Sequence, residues 1–413
     1  MALERDNIRR LAPYVPGEQP GSAADGGVIK LNTNENPYPP SPAVLDAIRQ
    51  VDSEALRLYP SANAAAFRAA AAEVHGLTPA HVIATNGGDE LLRLLLTVFT
   101  TPTPSKPRAA ERSDKAPSPP EAASGGGGIG ITSPTYSLYD VLARIHDTPV
   151  TVVERSGDTC GGDSGGDSGG DSGGDSGDGG DFALPDDTAD RLNAAGCRLA
   201  FLVNPHAPTG RLESVDRLRR FAQTFKGVFV VDEAYVDFAP HDALPLLRDD
   251  RLDNVVLLRS LSKGYSLAGL RFGYGLADPA LIAALDKARD SYNTDALAQA
   301  AAVAALRDQP YARSTWDRVV AERKRLTQAL RDRGFTVPDS HSNFVLATSP
   351  PDKPARALYQ HLKQNNLLVR HFDTPRLADR LRITVGTPAQ TDRLLEQLDA
   401  TLTPTPHPIS ARP

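Results

Sequence analysis

Seven short apolar runs separated mostly by helical patterns constrain the fold of this chain more than any other feature of its sequence. They lie near residues 82–84, 129–132, 150–153, 199–203, 228–231, 255–258 and 272–276. Runs this short, bounded by turn-forming residues, read as buried strands, and their alternation with helices predicts a mainly parallel α/β sheet of seven strands. Helix signals sit between them: Ser41-Pro42 supplies a cap and a first-turn proline, and Gly76 ends an alanine-rich helix that begins near Ala62. From Pro279 a long helical stretch runs to about residue 334, followed by strands near 343–347 and 381–385 flanked by helices. The expected organisation is an N-terminal arm that joins the smaller domain (1–50), a large domain (51–289) and a smaller C-terminal α+β domain (290–413), with a ligand cleft between the domains.

What the strands carry at their ends narrows the chemistry. The run Val255 to Arg259 leads into Ser260-Leu261-Ser262-Lys263-Gly264-Tyr265, with Gly269-Leu270-Arg271 close behind. Lys263 therefore stands at a strand end, where open α/β sheets hold their ligands. An amine, two hydroxyls and a guanidinium beside a tight turn are what an aldehyde cofactor bearing a phosphate requires: a Schiff-base partner, hydrogen bonds to phosphate oxygens and a counter-charge. That set points to pyridoxal phosphate, although Lys263 taken alone reads first as a solvated surface charge. Val228 to Val231 ends in Asp232-Glu233-Ala234-Tyr235. A carboxylate just past a buried strand is costly unless paired; a protonated pyridine nitrogen would suit Asp232, and Tyr235 is placed to bond the phenolic oxygen of the same ring. The competing reading of Asp232 is a helix-cap or turn aspartate.

Three more loops follow apolar runs or open helices. Asn204-Pro205-His206-Ala207-Pro208-Thr209-Gly210 comes one crossover before the Asp232 strand, which puts it on the same sheet edge. Thr85-Asn86-Gly87-Gly88-Asp89-Glu90 opens the helical run Leu91 to Phe99, where backbone N–H groups and the helix dipole favour a phosphate. Ser133-Pro134-Thr135-Tyr136 starts another helix, and Tyr136 is either a ring for stacking on a flat cofactor or ordinary core.

In chain order, Asn32-Thr33-Asn34-Glu35-Asn36-Pro37, Tyr59-Pro60, the Gly-Gly-Asp-Glu turn, Ser-Pro-Thr-Tyr, the Pro-Thr-Gly loop, Asp-Glu-Ala-Tyr, Ser-Leu-Ser-Lys and Leu381-Arg382-Ile383-Thr384-Val385-Gly386-Thr387 resemble fold-type I pyridoxal-phosphate aminotransferases. Among these the match is best to the histidinol-phosphate aminotransferase family, and it spans nearly the whole chain apart from two inserts. The resemblance implies that Lys263 carries the cofactor as a Schiff base and shuttles a proton between the substrate α-carbon and the cofactor C4′. It implies further that Asp232 pairs with the pyridine nitrogen, Tyr235 with the phenolic oxygen, and Tyr136 with the ring face. Ser260, Ser262, Arg271 and the backbone N–H groups of Gly88 and Asp89 would hold the phosphate. Tyr59 would reach the phosphate of a neighbouring subunit, which makes a homodimer with shared sites the expected assembly. On the substrate side, Arg382 would grip the α-carboxylate of glutamate or 2-oxoglutarate, and Arg370 the histidinol phosphate group or the distal carboxylate. Tyr14 would close over the substrate phosphate from the other subunit, and Asn34 joins the substrate-binding positions.

One departure stands out: many members place an asparagine before the Pro-Thr-Gly turn, and here that residue is Ala207. Contact with the phenolic oxygen would then fall to Asn204 or to Tyr235 alone. The implied reaction is transamination between L-histidinol phosphate and 2-oxoglutarate, giving imidazole acetol phosphate and glutamate, a step of histidine biosynthesis. An aromatic amino acid aminotransferase and a phospho-amino-acid decarboxylase share much of the motif set. A cofactor-binding regulatory module without turnover is the non-enzymatic alternative, though no DNA-binding extension is visible.

Bulk properties narrow the remaining classes. A net charge of −6 over 413 residues leaves no basic footprint for nucleic acid. No apolar run is long enough to span a bilayer, and the charged start Met1 to Asp6 does not resemble a secretory signal. Two cysteines, Cys160 and Cys197, exclude a disulfide framework and fit a reducing cytoplasm. The inserts, about 101–128 and 156–181, lack apolar residues to bury and are expected to be solvated, disordered and directed away from the active site. The second repeats Gly-Gly-Asp-Ser every four residues, unlike calcium-binding β-helix repeats with their nine-residue period, so no metal site is expected.

Overall fold

The computed structural model describes residues 3–14, 17–19, 27–102, 127–156 and 181–402. Its strands are β1 Ile29–Lys30, β2 Val82–Thr85, β3 Ile129–Ser133, β4 Val150–Glu154, β5 Leu199–Val203, β6 Val228–Asp232, β7 Val255–Ser260 and β8 Gly273–Ala277, then β9 Phe344–Thr348, β10 Leu367–Leu368, β11 Arg370–His371 and β12 Arg380–Thr384. All seven expected central strands form and share one sheet, in the order β2-β8-β7-β6-β5-β3-β4. The pairs β3–β4, β3–β5, β5–β6 and β6–β7 are parallel, while β8 runs antiparallel to both β2 and β7. Parallel pairing carries the C-terminal ends of β3, β5, β6 and β7 to one edge, and the loops of the sequence motifs begin there.

Side-chain parity explains why these runs are apolar throughout. Phe229 and Val231 face one core with Ala200, Leu202, Val255 and Leu257, whereas Val230 faces the other with Phe201, Val203, Val256 and Leu258. Helices cover both faces, so neither side of a central strand meets water, and each fully buried aliphatic or aromatic side chain contributes roughly 1.5–3 kcal/mol. A third apolar core lies around the antiparallel sheet β11-β12-β9: Leu381, Ile383, Val345 and Ala347 pack with Leu326 and Leu330 of the helix Gln309–Arg331, Leu358 and Leu362 of Ala355–Gln364, and Leu394 and Leu398 of Pro388–Leu402. β1 pairs parallel with β10, and the Thr384 N–H donates to the Leu31 carbonyl at 2.9 Å, which brings the Asn32 to Asn36 segment against β12.

The structure departs from the sequence reading at several places. The helical stretch after Pro279 is three helices, Pro279–Asp286, Ala296–Arg307 and Gln309–Arg331, because Asp295 and Asp308 cap new starts by accepting from the N–H groups of Ala298 (2.7 Å) and Tyr311 (3.3 Å). Helix Ala296–Arg307, assigned from sequence to the smaller domain, buries Ala298, Ala301 and Ala305 in the core of the large sheet. The alanine-rich helix begins at Ala65, since Ala64 takes a left-handed backbone (φ 50°), and it ends at Gly76 as expected. The two-residue strands β1, β10 and β11 had no signal in the sequence pattern.

The margins of both expected inserts belong to the fold. Gly127 and Gly128 are buried, and the Thr101 N–H donates to the Gly127 carbonyl at 3.3 Å. Ser156 exchanges backbone hydrogen bonds with Phe182 (3.1 Å) and Ala183 (3.0 Å), and Asp181 forms an ion pair with Arg380. Residues 103–126 and 157–180, with the repeat and Cys160, lie outside the described residues, and the expectations for them with it. Cys197 is a buried free thiol. Among the described residues, no helix is long and apolar enough to cross a membrane.

Candidate active site

The turn after β7 places Lys263. Its successor Gly264 is held at the carbonyl by Trp316 Nε1 (2.8 Å) and Asn36 Nδ2 (3.2 Å), while Asp237 Oδ2 occupies the space that a Cβ on Gly264 would take, 2.0 Å from that position. The turn is therefore fixed by contacts on three sides. Lys263 Nζ donates to the Thr33 carbonyl at 2.8 Å. Burial lowers its amine to a pKa of about 8, against the pull of the Glu35 carboxylate; the cations Arg382, Lys30 and Arg271 push in the same direction as burial. Near neutral pH this lysine is thus closer to its neutral, nucleophilic form than a surface lysine.

Asp232 ends β6 and is buried. Tyr139 donates its hydroxyl to Oδ2 at 2.5 Å and the Ala234 N–H donates to Oδ1 at 3.1 Å. Burial raises the carboxyl to about 6 in spite of those two bonds, so the site holds an acid that gains from a cationic partner. Tyr235 receives a hydrogen bond at 3.0 Å from Asn34 Nδ2, and burial raises its hydroxyl pKa against the opposing charge of Arg382. Asn34 is locked in turn by Thr384, whose Oγ1 accepts from the Asn34 N–H (3.0 Å) and donates to its Oδ1 (3.1 Å), and by Asn343, which donates to its carbonyl at 2.9 Å. Tyr136 stands edge-on to Tyr139, with centroids 5.6 Å apart, and to Tyr14, 6.1 Å apart; its electrostatic neighbours include Asp89 and Tyr235.

The residues expected from the sequence to cradle a phosphate come together where the helix Gly87–Phe99 begins. Gly88 and Asp89 sit in its first turn, whose N–H groups have no intrahelical acceptors. Gly87 has φ +75°, and a Cβ there would lie 2.7 Å from Arg271 Nη2; a Cβ on Gly273 would meet the Gly87 carbon and Gly88 nitrogen at the same distance. Arg271 Nη1 lies 3.5 Å from Ser262 Oγ, its Nη2 lies 3.4 Å from Asp89, and Ser260 Oγ accepts from the Ser262 N–H at 3.1 Å. A cradle open only to glycine, with a half-exposed guanidinium and hydroxyls at its rim, fits a phosphate. With the lowered amine of Lys263 and the raised acid of Asp232, the donor set fits pyridoxal phosphate as a whole.

On the substrate side, β11 and β12 pair Arg370 directly opposite Arg382. Arg382 Nη2 donates to the Asn32 carbonyl at 2.9 Å, its Nε is buried without a partner, and burial lowers its pKa. Among the described residues, neither arginine has a carboxylate within ion-pair distance. Two facing cations with no ion-paired carboxylate among the described residues repel each other, a cost that an anion between them would relieve.

Three further expected site residues have partners within this chain. The Asn204 side chain is committed to Glu213, accepting from its N–H at 2.8 Å and donating to its carbonyl at 3.5 Å, so it is not available to stand in for an asparagine at Ala207. Tyr59 is 81% exposed and stacks on Tyr292 at 4.5 Å. Tyr14 packs against Tyr136 of its own chain. Two residues were missed. Tyr139 lies one helical turn beyond Tyr136, a spacing that signals a shared face. His206 is fully buried; its Nε2 donates to the acceptor-only Pro134 carbonyl at 2.9 Å, which leaves Nδ1 to accept from the Thr209 hydroxyl at 2.8 Å. Burial holds its imidazole pKa far below the usual range, so this neutral ring braces the loop before Tyr136.

Sheet order, strand-end lysine and buried aspartate together define a fold-type I pyridoxal-phosphate enzyme. Residues 26–398 match the model described as aminotransferase class I and II, and the chain belongs to that family. Its similar relatives include histidinol-phosphate aminotransferase 1 of Trichormus variabilis, 39% identical over 95% of this chain and 97% of that protein, and the histidinol-phosphate aminotransferase of Geotalea daltonii, 40% identical over 95% and 98%. Among solved structures, the histidinol-phosphate aminotransferase of Sinorhizobium meliloti in complex with pyridoxal-5′-phosphate superposes with a TM-score of 0.77 over 97% of this chain and 98% of that one, at 24% identity. A Thermus thermophilus aspartate aminotransferase variant superposes with a TM-score of 0.69 over 98% of this chain and 100% of that one, at 18% identity. These two likenesses speak to the fold.

Proposed function

We propose that this protein transfers the amino group between L-histidinol phosphate and 2-oxoglutarate, giving imidazole acetol phosphate and glutamate, as in histidine biosynthesis. The observation that carries the reading is the couple Arg370 and Arg382 on facing strands, which among the described residues has no carboxylate within ion-pair distance. Both partner substrates bear anionic groups that two guanidiniums can hold, and the relatives identical at 39–40% are named for this reaction. Bound pyridoxal phosphate supplies an electron sink for the charge left when a substrate α-carbon loses its proton.

Each residue has a proposed task. Asp232 holds the ring nitrogen protonated, and Tyr139 fixes that carboxylate. Tyr235, oriented by Asn34, donates to the phenolic oxygen; with Ala207 at the neighbouring position, it does so alone. Ser260, Ser262, Arg271 and the first N–H groups of the helix Gly87–Phe99 bind the phosphate, and Tyr136 covers the ring face. Lys263 Nζ would anchor the cofactor and would take and hold the proton of the substrate α-carbon; its lowered basicity suits proton exchange near neutral pH. Arg382 holds the α-carboxylate common to glutamate and 2-oxoglutarate, and Arg370 the second anionic group. Tyr14 shields the substrate from water.

The same reading makes the active unit a homodimer, in which Tyr59 completes the partner's phosphate site. Its support is an exposed apolar patch of Leu56, Leu58, Tyr59 and Tyr292. We place the division between large and small domains as the sequence suggests, with the helix Ala296–Arg307 packed on the large one, and the protein in the cytoplasm. The test is a half-reaction: cofactor-loaded protein is mixed with histidinol phosphate, phenylalanine or tyrosine, and the loss of cofactor absorbance near the visible is followed. Histidinol phosphate should react with the highest kcat/KM; equal or better turnover of the aromatic amino acids would overturn the substrate assignment.

A further inference from the structure

The hairpin β11–β12 carries both substrate arginines, and at its tip stands Arg376. This guanidinium donates Nη1 to the Ser133 carbonyl (3.1 Å) and the Glu154 carboxylate (2.8 Å), and Nη2 to the carbonyls of Arg155 (2.9 Å) and Ser156 (2.8 Å). Its carbon atom Cζ lies 4.6 Å from the centroid of Phe182, and Arg380 approaches the same ring at 4.9 Å while pairing with Asp181. Every acceptor of Arg376 belongs to the C-terminal ends of β3 and β4 or to the two residues after β4. Ser133 immediately precedes Pro134-Thr135-Tyr136, and the Pro134 carbonyl is braced from the other side by the buried His206. One side chain therefore spans from the strands that hold Arg370 and Arg382 to the strand end that presents the Tyr136 ring.

We propose that Arg376 is a positioning residue of the transamination: by fastening the hairpin tip to the ends of β3 and β4, it sets the separation between the two substrate-binding guanidiniums and the ring platform. A guanidinium suits the task because its planar fork reaches several acceptors at once, whereas an ammonium is a single point. The inference rests on the transamination proposed above. It assigns Arg376 no contact with substrate or cofactor.

The experiment compares wild type, Arg376→Ala and Arg376→Lys as full-length, cofactor-loaded proteins, reading KM and kcat for histidinol phosphate and glutamate, the dissociation constant for pyridoxal phosphate, and Tm. Displacing the hairpin by about an ångström should raise the KM of Arg376→Ala roughly tenfold or more, with a smaller change in kcat and cofactor affinity within about twofold of wild type. Arg376→Lys should fall between the two, and it carries the test alone if the alanine variant does not fold. Unchanged KM in the lysine and alanine variants overturns the proposal, as does a joint loss of KM, cofactor affinity and Tm, which marks a merely structural contact. If wild type prefers another amino donor, the substrate assignment fails, and Arg376 is judged by the same measurements on that donor.

Discussion

At the residue scale the site turns on two shifted acids and bases. Asp232 titrates near 6 because it is buried, with Tyr139 and the Ala234 N–H pulling the other way. As pH falls through about 6 the carboxylate gains a proton and loses its attraction for a protonated ring, so cofactor affinity should weaken by up to about tenfold per unit below that point. Asp232→Asn should bind weakly at every pH and show no such limb; a retained limb would assign it to another group. Tyr139→Phe removes one hydrogen bond to the ionised form and should move the limb upward by about one pH unit. In the cofactor-free protein the sign is the reverse of a salt-bridged aspartate. The folded state holds the proton more tightly than the unfolded chain, so Asp232 favours folding at low pH, and that contribution is lost as pH rises through about 6. Urea unfolding of the two apo proteins should therefore show Asp232→Asn gaining on wild type between pH 5 and pH 8. In the sequence, Asp232 stood out as a carboxylate directly after an apolar run, and Lys263 and Tyr235 as members of the loops that follow such runs. Tyr139 was not, since a tyrosine inside an amphipathic helix looks like core until its hydroxyl is seen to reach a carboxylate 93 positions away.

At the element scale the strands were legible and their smallest companions were not. Continuous apolar runs announce strands covered on both faces, and each of the seven appears close to its expected place. The two-residue strands β1, β10 and β11 are too short for any period to show, yet β11 sets Arg370 opposite Arg382. The break at Asp308 was present as a signal, an aspartate before Gln309-Pro310, but the helical patterns on either side concealed it. The turn bearing Lys263 gives the sharpest test at this scale. A methyl group on Gly264 would collide with Asp237, so Gly264→Ala should lower stability by about 1–3 kcal/mol and displace the lysine. Thermal unfolding and cofactor loading check this, and Asp237→Ala in the same chain should restore part of the loss. A Gly264→Ala protein with native Tm and full loading would show that the contact is not limiting.

At the scale of the whole molecule, the parallel sheet and the antiparallel sheet are joined through the site, since Asn34 bonds Tyr235 on one side and Thr384 on the other. That long-range closure, across 350 positions between Asn34 and Thr384, is why sequence motifs alone could name the groups and not their mutual geometry. Two of the segments outside the described residues, 103–126 and 157–180, are flanked by hydrogen-bonded points of the fold, Thr101 to Gly127 and Ser156 to Phe182. Replacing 103–126 and 157–180 with bridges of about three residues should leave kcat/KM within about twofold and stability equal or raised by roughly 1–2 kcal/mol, as loop closure becomes less costly. Loss of folding or activity would give these segments a part in the core. The most direct test of the central assignment is borohydride reduction of the cofactor-loaded protein, followed by digestion and mass identification of the labelled peptide. The expected result is a single label on Lys263; a label on the nearby Lys30, or none at all, would contradict the placement of the cofactor and the reaction built on it.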